Sequence, residues 1–155
     1  MRIRQAGLED YDSVARLLLQ IAALHHKLRP DIFRLTGSKY DLEQYKEMLK
    51  DKDRPILVAE KGGTALGYAM CVVVRHKDHP VGNDRCFLYV DDLCVDENCR
   101  GQGIGEALMT AVTDLARERN CGAIELNVWE CNQGAREFYE RLGYTTQRRG
   151  LEIKL

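Results

Sequence analysis

Apolar residues recur at three- and four-residue intervals between Leu8 and Leu28, at Val14, Leu17, Leu18, Ile21, Leu24 and Leu28. That spacing lines one face of an amphipathic helix. Asp10 or Asp12 is placed to cap its start, and Pro30 to stop it. A second helix is predicted from Ser38 or Asp41 onward, burying Tyr45, Met48 and Leu49. The pattern then changes period. Ile56–Glu60 is a run of strand length, Lys61-Gly62-Gly63-Thr64 a hairpin turn, and Ala65–His76 the return strand. A loop containing Pro80, Gly82 and Asn83 leads into Cys86–Val95, a strand apolar except for Asp91-Asp92 at its centre. A helix over Gly103–Arg119, a short strand over Ala123–Val128 and a helix over Gln133–Arg141, closed by Gly143, follow. Tyr144–Leu155 is predicted to be one bent strand or a hairpin turning at Arg149-Gly150. No repeat, low-complexity tract or linker breaks the order, so residues 1–155 are expected to form a single mixed α/β domain.

Composition narrows the function classes. The chain has 155 residues, 45% hydrophobic and 30% charged, enough for a core without disulfides or metals. A net charge of -1 supplies no global field for nucleic acid or an anionic membrane, and Gln147-Arg148-Arg149 is too short a basic cluster to substitute. Neither nucleic acid nor membrane is therefore an expected partner. Met1–Gln5 carries no apolar run after its basic residues, and no stretch is long enough to span a bilayer, which places the protein in the cytoplasm as an expectation. The six cysteines, at 71, 86, 94, 99, 121 and 131, form no C-x-x-C pair and have no histidine at zinc spacing. They are expected to be reduced thiols, with no metal bound.

The chemistry lies in Val95-Asp96-Glu97-Asn98-Cys99-Arg100-Gly101-Gln102-Gly103-Ile104-Gly105-Glu106. A strand enters a glycine-rich turn and a helix leaves it, so successive N–H groups converge at a helix N-terminus, an arrangement suited to a pyrophosphate. Arg100 adds a charge-assisted contact. A plain turn relieved by glycine is one alternative reading. A P-loop would need a Lys after its last glycine, and a dinucleotide fingerprint would need glycine where Glu106 stands.

The same residues match the R/Q-x-x-G-x-G/A acyl-CoA loop of the GNAT N-acetyltransferases through Arg100, Gly103 and Gly105. The strand ending Asp92-Leu93-Cys94-Val95-Asp96 resembles that family's fourth strand. Asn132, Ala135, Tyr139, Gly143 and Tyr144 resemble its N-x-x-A-x-x-x-Y-x-x-x-G-[FY] segment. The resemblance is carried by the motifs over residues 86–148 and by element order alone over 1–75. It implies a central, mostly antiparallel sheet with splayed fourth and fifth strands, flanked by about four helices. It also implies acetyl-CoA as cosubstrate, a small-molecule amine as acceptor and direct transfer; a homodimer is compatible with it.

By this resemblance the backbone of Leu93, Cys94 and Val95 pairs with the pantetheine arm, and the Val95 amide meets the thioester oxygen. Arg100, Gly101, Gln102, Gly103, Ile104, Gly105 and Glu106 hold the pyrophosphate. Asn132 bonds the pantetheine or a neighbouring backbone group, and the Tyr139 hydroxyl meets the leaving sulfur. One branch of the family carries a glutamate base on the fifth strand, where Asn127 stands here, with Glu125 on the same face. The carboxylates Asp91 and Asp92 instead resemble the polyamine acetyltransferases. Strand alternation puts Asp91 on the side of Leu93 and Val95 and so favours it as base over Asp92. His25, His26, Trp129 and Glu130 are candidates for the acceptor wall, although cationic residues also suit a helix C-terminus. A core aromatic on a helix face is the competing reading for Tyr139, and solvated or ion-paired charges are that for the two aspartates. Cys94 and Cys99 lack a histidine partner and are poor nucleophiles. Protein N-termini or lysines as acceptors, and a non-catalytic acyl-CoA-binding module, are the competing functions.

Overall fold

The computed structural model describes residues 1–35 and 37–155. Its strands are β1 (Arg2–Gln5), β2 (Ile56–Lys61), β3 (Thr64–His76), β4 (Arg85–Val95) and β5 (Ala123–Leu126). Its α-helices are α1 (Tyr11–Leu28), α2 (Leu42–Lys50), α3 (Ile104–Glu118) and α4 (Gln133–Arg141). The strands form one sheet in chain order, antiparallel throughout except for the parallel pair β4–β5. Both faces are covered, which is why β2 and the middle of β3 read as continuous apolar runs rather than alternating ones. On one face, Leu57, Ala69, Cys71, Val73, Leu88 and Val90 pack with Ile104, Leu108, Met109, Val112 and Leu115 of α3. On the other, Val58, Tyr68, Met70 and Cys94 pack with Val14, Leu17 and Leu18 of α1 and with Tyr45 and Met48 of α2. Among the described residues no helix is long and apolar enough to cross a membrane.

The periodicities locate most of these elements. Leu8–Asp10 forms a 3-10 turn ahead of α1 rather than its first turn. Asp41 caps α2 by accepting from the Gln44 amide, and Gly62, Gly63 and Gly143 take the left-handed conformations that their turns need. Arg2–Gln5, where the pattern predicts no element, is an edge strand paired with β2, although three of its four residues are polar and only Ile3 packs on the core. One expectation fails. Tyr144–Leu155 forms no strand and no hairpin. Its alternation leaves Leu151, Ile153 and Leu155 exposed, while Glu152 pairs with Arg29 and Lys154 with Asp31. β5 also stops at Leu126, two residues short of its expected end.

A buried ion pair joins β1 to the start of α1. Asp10 is 2% exposed and receives both Arg4 guanidinium nitrogens, at 2.7 and 2.9 Å, as well as the Gly7 amide at 2.8 Å. Burial pushes the Asp10 pKa up, but the Arg4 hydrogen bonds, the Gly7 amide and the Arg4 charge outweigh it, and the net direction is down. A carboxyl whose folded pKa is depressed stabilises the fold above its unfolded value and loses that contribution as pH falls through the folded one. Asp10→Asn should therefore cost about 2–4 kcal/mol at neutral pH, since it leaves Arg4 only the more distant Glu9 and Glu60, each at 3.9 Å. The deficit relative to wild type should shrink below about pH 4. Urea unfolding at pH 7 and pH 3 measures this; equal midpoints for the two proteins at pH 7 would contradict it.

Candidate active site

The site follows from where β4 loses a neighbour. β4 and β5 pair only from Phe87↔Ala123 to Val90↔Leu126, yet β4 continues to Val95. Beyond Val90 the β5 side of β4 is unpaired by strand. On its other side β4 remains paired with β3, with Met70↔Asp92, Tyr68↔Cys94 and Gly67↔Val95, and the Asp96 amide donates to the Leu66 carbonyl. In an antiparallel ladder alternate residues bond the same neighbour. Residues 92, 94 and 96 therefore bond β3, and the backbone groups of Leu93 and Val95 turn toward the gap. That edge is a template for an extended, amide-bearing chain.

The register explains the two carboxylates. Cys71 pairs with Val90 and Met70 with Asp92, so Asp91 is an extra residue, a β-bulge in β4. The core changes parity across it: Leu88 and Val90 precede the bulge, and Leu93 and Val95 follow it, all packed on the α3 face. Alternation therefore gives no ground for choosing Asp91 over Asp92. The bulge brings both to one place, with Lys39 Nζ 2.8 Å from Asp91 Oδ2 and 3.8 Å from Asp92 Oδ2. Their environments differ. The Asp91 side chain is 33% exposed and also accepts from the Tyr40 hydroxyl at 3.3 Å. The Asp92 side chain is 8% exposed, and burial raises its pKa more than the nearby Lys39 charge lowers it. The buried Tyr68 hydroxyl lies near Asp92 and has no hydrogen-bond partner among the described residues. Burial lowers the pKa of His25, whose ring is within the field of Asp92 and Lys39.

At the end of β4, Asp96 is buried, pairs with Arg16 of α1 and accepts from the Asn98 amide. The turn it anchors carries Gly101 at φ 75° and Gly103 at φ 76°, and Gly103 opens α3. A Cβ at either glycine would meet nothing within 4 Å, so these two serve backbone conformation and leave open space before the helix N-terminus. Gly105 is different: a Cβ there would come within 3.1 Å of Phe138 Cζ, so its smallness lets α4 close on α3. Arg100 folds back, its Nε donating to the Val95 carbonyl at 3.3 Å. Gln102 and Glu106 are exposed, and Ile104 is buried in the core.

Asn132 caps α4, its side-chain oxygen accepting from the Ala135 amide at 3.2 Å, and so bonds a neighbouring backbone group. Tyr139 packs against Phe138 and Tyr144, and burial raises its pKa, with the Tyr144, Asp92 and Cys71 charges acting the same way. Its phenol is thus a weaker acid than a free one. Glu125 is tied to Arg85 and Gln147, and Asn127 donates to the Tyr89 hydroxyl at 3.0 Å; neither reaches the carboxylate pair by a hydrogen bond. Trp129 meets the Phe33 ring edge-on at 5.6 Å and lies under the Arg29 guanidinium at 5.2 Å. His25 packs on Phe33 at 5.0 Å, and His26 Nδ1 lies 2.7 Å from the Phe33 carbonyl. The segment after α1 and the loop after β5 thus touch across the cleft. Cys94 is buried with its thiol pushed up to about 12, which removes it as a nucleophile at neutral pH. The Cys86 and Cys121 sulfurs lie 3.5 Å apart as free thiols. Among the described residues, no group of three or more His, Cys, Asp or Glu side chains is placed to hold a metal ion.

Sequence reasoning missed Lys39, Tyr40 and Tyr68. Nothing in Ser38-Lys39-Tyr40-Asp41 marks it as more than a helix lead-in, and Tyr68 sits in an apolar run.

Comparison with known proteins bears on this geometry. The model of the acetyltransferase (GNAT) family matches residues 21–144. An uncharacterised N-acetyltransferase of Archaeoglobus fulgidus is 31% identical over 146 residues, covering 90% of this chain and 89% of its own. A thialysine N-epsilon-acetyltransferase of Mus musculus is 24% identical over 145 residues, 92% of this chain and 82% of its own. The solved structure of a mutant Bacillus halodurans protein superposes with a TM-score of 0.96 at 33% identity, covering 100% of this chain and 99% of that one.

The open, positive-φ turn at the N-terminus of α3, with the backbone of Leu93 and the Val95 amide left unpaired by any strand, fits two parts of coenzyme A, its pyrophosphate and its amide-bearing arm. An alanine at Gly103 would strain the left-handed backbone by roughly 1–2 kcal/mol and crowd the space before the helix. Gly103→Ala should weaken coenzyme A binding about tenfold or more by calorimetry, about 1.4 kcal/mol, while circular dichroism still reports a folded protein. Unchanged affinity in the folded variant would remove the pyrophosphate from this turn.

Proposed function

Because the chain belongs to the acetyltransferase (GNAT) family and is an acetyl-CoA-dependent N-acetyltransferase, we propose that it acetylates a primary amine on a small cationic acceptor held at Asp91 and Asp92. The observation that carries this reading is the bulge, which gathers two carboxylates beside the strand-unpaired backbone of Leu93 and the Val95 amide. The mouse relative is named for acetylating the ε-nitrogen of thialysine, itself an amine, which is consistent with an amine-selecting pair here.

In this reading bound acetyl-CoA supplies the acetyl group and a thiol as leaving group. Asp91, the more exposed carboxylate, binds the acceptor's ammonium. Asp92 is the base, directly or through water, because a carboxyl held above its usual range accepts a proton from an amine more readily. The Val95 amide faces the developing oxyanion and stabilises it without reorganising. The Tyr139 hydroxyl donates a hydrogen bond to the departing sulfur; with its pKa raised it stabilises the thiolate rather than surrendering its proton outright. Trp129 and Phe33, edge to face, form the apolar wall past which the acceptor enters.

A base must be unprotonated to act, so activity should rise with pH through the Asp92 pKa, above the ordinary carboxylate range. Asp92→Asn should lower kcat by roughly 10²–10⁴-fold and erase that acidic limb. Asp91→Asn should mainly raise KM for cationic acceptors and keep the limb. Thiol-release assays from pH 5 to 9 on both variants measure this. An Asp92→Asn profile that overlays wild type would move the base elsewhere.

A further inference from the structure

The ammonium of Lys39 stands where the proposed function needs the acceptor's charge. It donates to Asp91 Oδ2 at 2.8 Å and lies 3.8 Å from Asp92 Oδ2, over the Tyr40 ring at 5.4 Å. Among the described residues no other Lys or Arg lies within 4 Å of either carboxylate. The other titratable groups in the field of the pair are Tyr40, Tyr68, Tyr139, Cys71 and Cys94, which carry no positive charge in either form, and His25, whose neutral form burial favours. Lys39 belongs to no helix or strand: it lies in the connection between α1 and α2, two residues before the Asp41 cap of α2. Its side chain can leave the pair without unmaking any element of the fold.

We propose that Lys39 is a specificity-determining residue, a tethered cation that competes with the acceptor for Asp91 and Asp92. The inference rests on the proposed acetyl transfer to an amine. It adds a substrate class. The amine that attacks has already given its proton to Asp92, so in the reacting complex it no longer holds Asp91 in place of the Lys39 ammonium. An acceptor with two amines can: one stays charged and takes the place of Lys39, and the other reacts as the free base. Linear diamines and polyamines are therefore selected over monoamines. If Lys39 holds the pair nine-tenths of the time, the apparent affinity of the competing acceptor is reduced about tenfold.

The test compares wild type, Lys39→Met and Lys39→Arg, with 1,4-diaminobutane and butylamine as acceptors under saturating acetyl-CoA. Measured at pH 9, well above the acidic limb set by Asp92, Lys39→Met should lower KM for 1,4-diaminobutane about tenfold with a kcat change of less than about threefold, and should leave butylamine nearly unaffected. Lys39→Arg should restore the wild-type KM, because the guanidinium replaces the ammonium. A KM for the diamine that is unchanged or raised in Lys39→Met, or an equal gain for butylamine, overturns the proposal. If wild type binds acetyl-CoA yet turns over neither amine, that result counts against amine acetylation. The role of Lys39 is then decided by calorimetric titration of 1,4-diaminobutane into the coenzyme A-bound protein. Tighter binding in Lys39→Met supports the proposal, and equal or weaker binding overturns it.

Discussion

Everything functional in this molecule depends on the end of one ladder of hydrogen bonds. β4 and β5 run parallel for four residue pairs and stop at Val90↔Leu126, while β4 goes on beside β3 to Val95. Leu93 and Val95 are half-buried there, and the donors and acceptors of such an open edge are satisfied by side chains, water or a ligand. Two local features accompany the parting. The extra residue at Asp91 bends and twists β4 where the pairing stops. β5 is only four residues long, and the chain then turns toward Trp129, whose ring packs on Phe33. The core on the α3 face continues beneath the gap through Leu93, Val95 and Phe138, so the open edge lies on a packed foundation.

The electrostatics follow the same geometry. A bulge usually re-aims a side chain, and here it gathers two carboxylates rather than one. Burial is the main cause that raises the Asp92 pKa, and the neighbouring Asp91 charge adds to it in a smaller measure. Lys39 offsets part of that repulsion from outside the sheet. Among the described residues, two acids thus stand side by side with one cationic side chain within 4 Å to balance them. A different balance governs the loop after Val95. Asp96 is held ionised, first by the Asn98 amide and then by Arg16, and this fixes the end of β4 against α1. The glycines that follow can then take left-handed conformations without loosening the strand.

Much of this was legible in the residues. The period of Val14, Leu17, Leu18 and Ile21, the long apolar runs of β2 and β3, and the spacing of Arg100, Gly103 and Gly105 each report a local constraint, and local constraints are written locally. What was not legible depended on partners distant in the chain. β1 is a strand because β2 offers it an edge, not because Arg2-Ile3-Arg4-Gln5 is strand-like. The Leu151, Ile153 and Leu155 alternation looks like a strand and finds no edge to join. The bulge at Asp91 is a matter of register between β3 and β4, so alternation along β4 alone assigned the carboxylates to opposite sides. Lys39 approaches from a connection more than fifty residues earlier in the chain, with no motif to announce it. Gly105 carries a packing constraint as well, since a Cβ there would come within 3.1 Å of Phe138 Cζ, and that contact depends on a residue more than thirty positions away.

The central claim is that the unpaired edge of β4 is the seat of the acetyl-CoA arm. Amide hydrogen exchange resolved at single residues, with and without acetyl-CoA, tests it most directly. The Cys94 and Asp96 amides, bonded to β3, should be protected in both states. Leu93 and Val95 should exchange faster in the free protein and become protected on binding, with protection also appearing at the amides of residues 101–105. Protection confined to other regions, or Leu93 and Val95 amides that do not respond to saturating acetyl-CoA, would contradict the account.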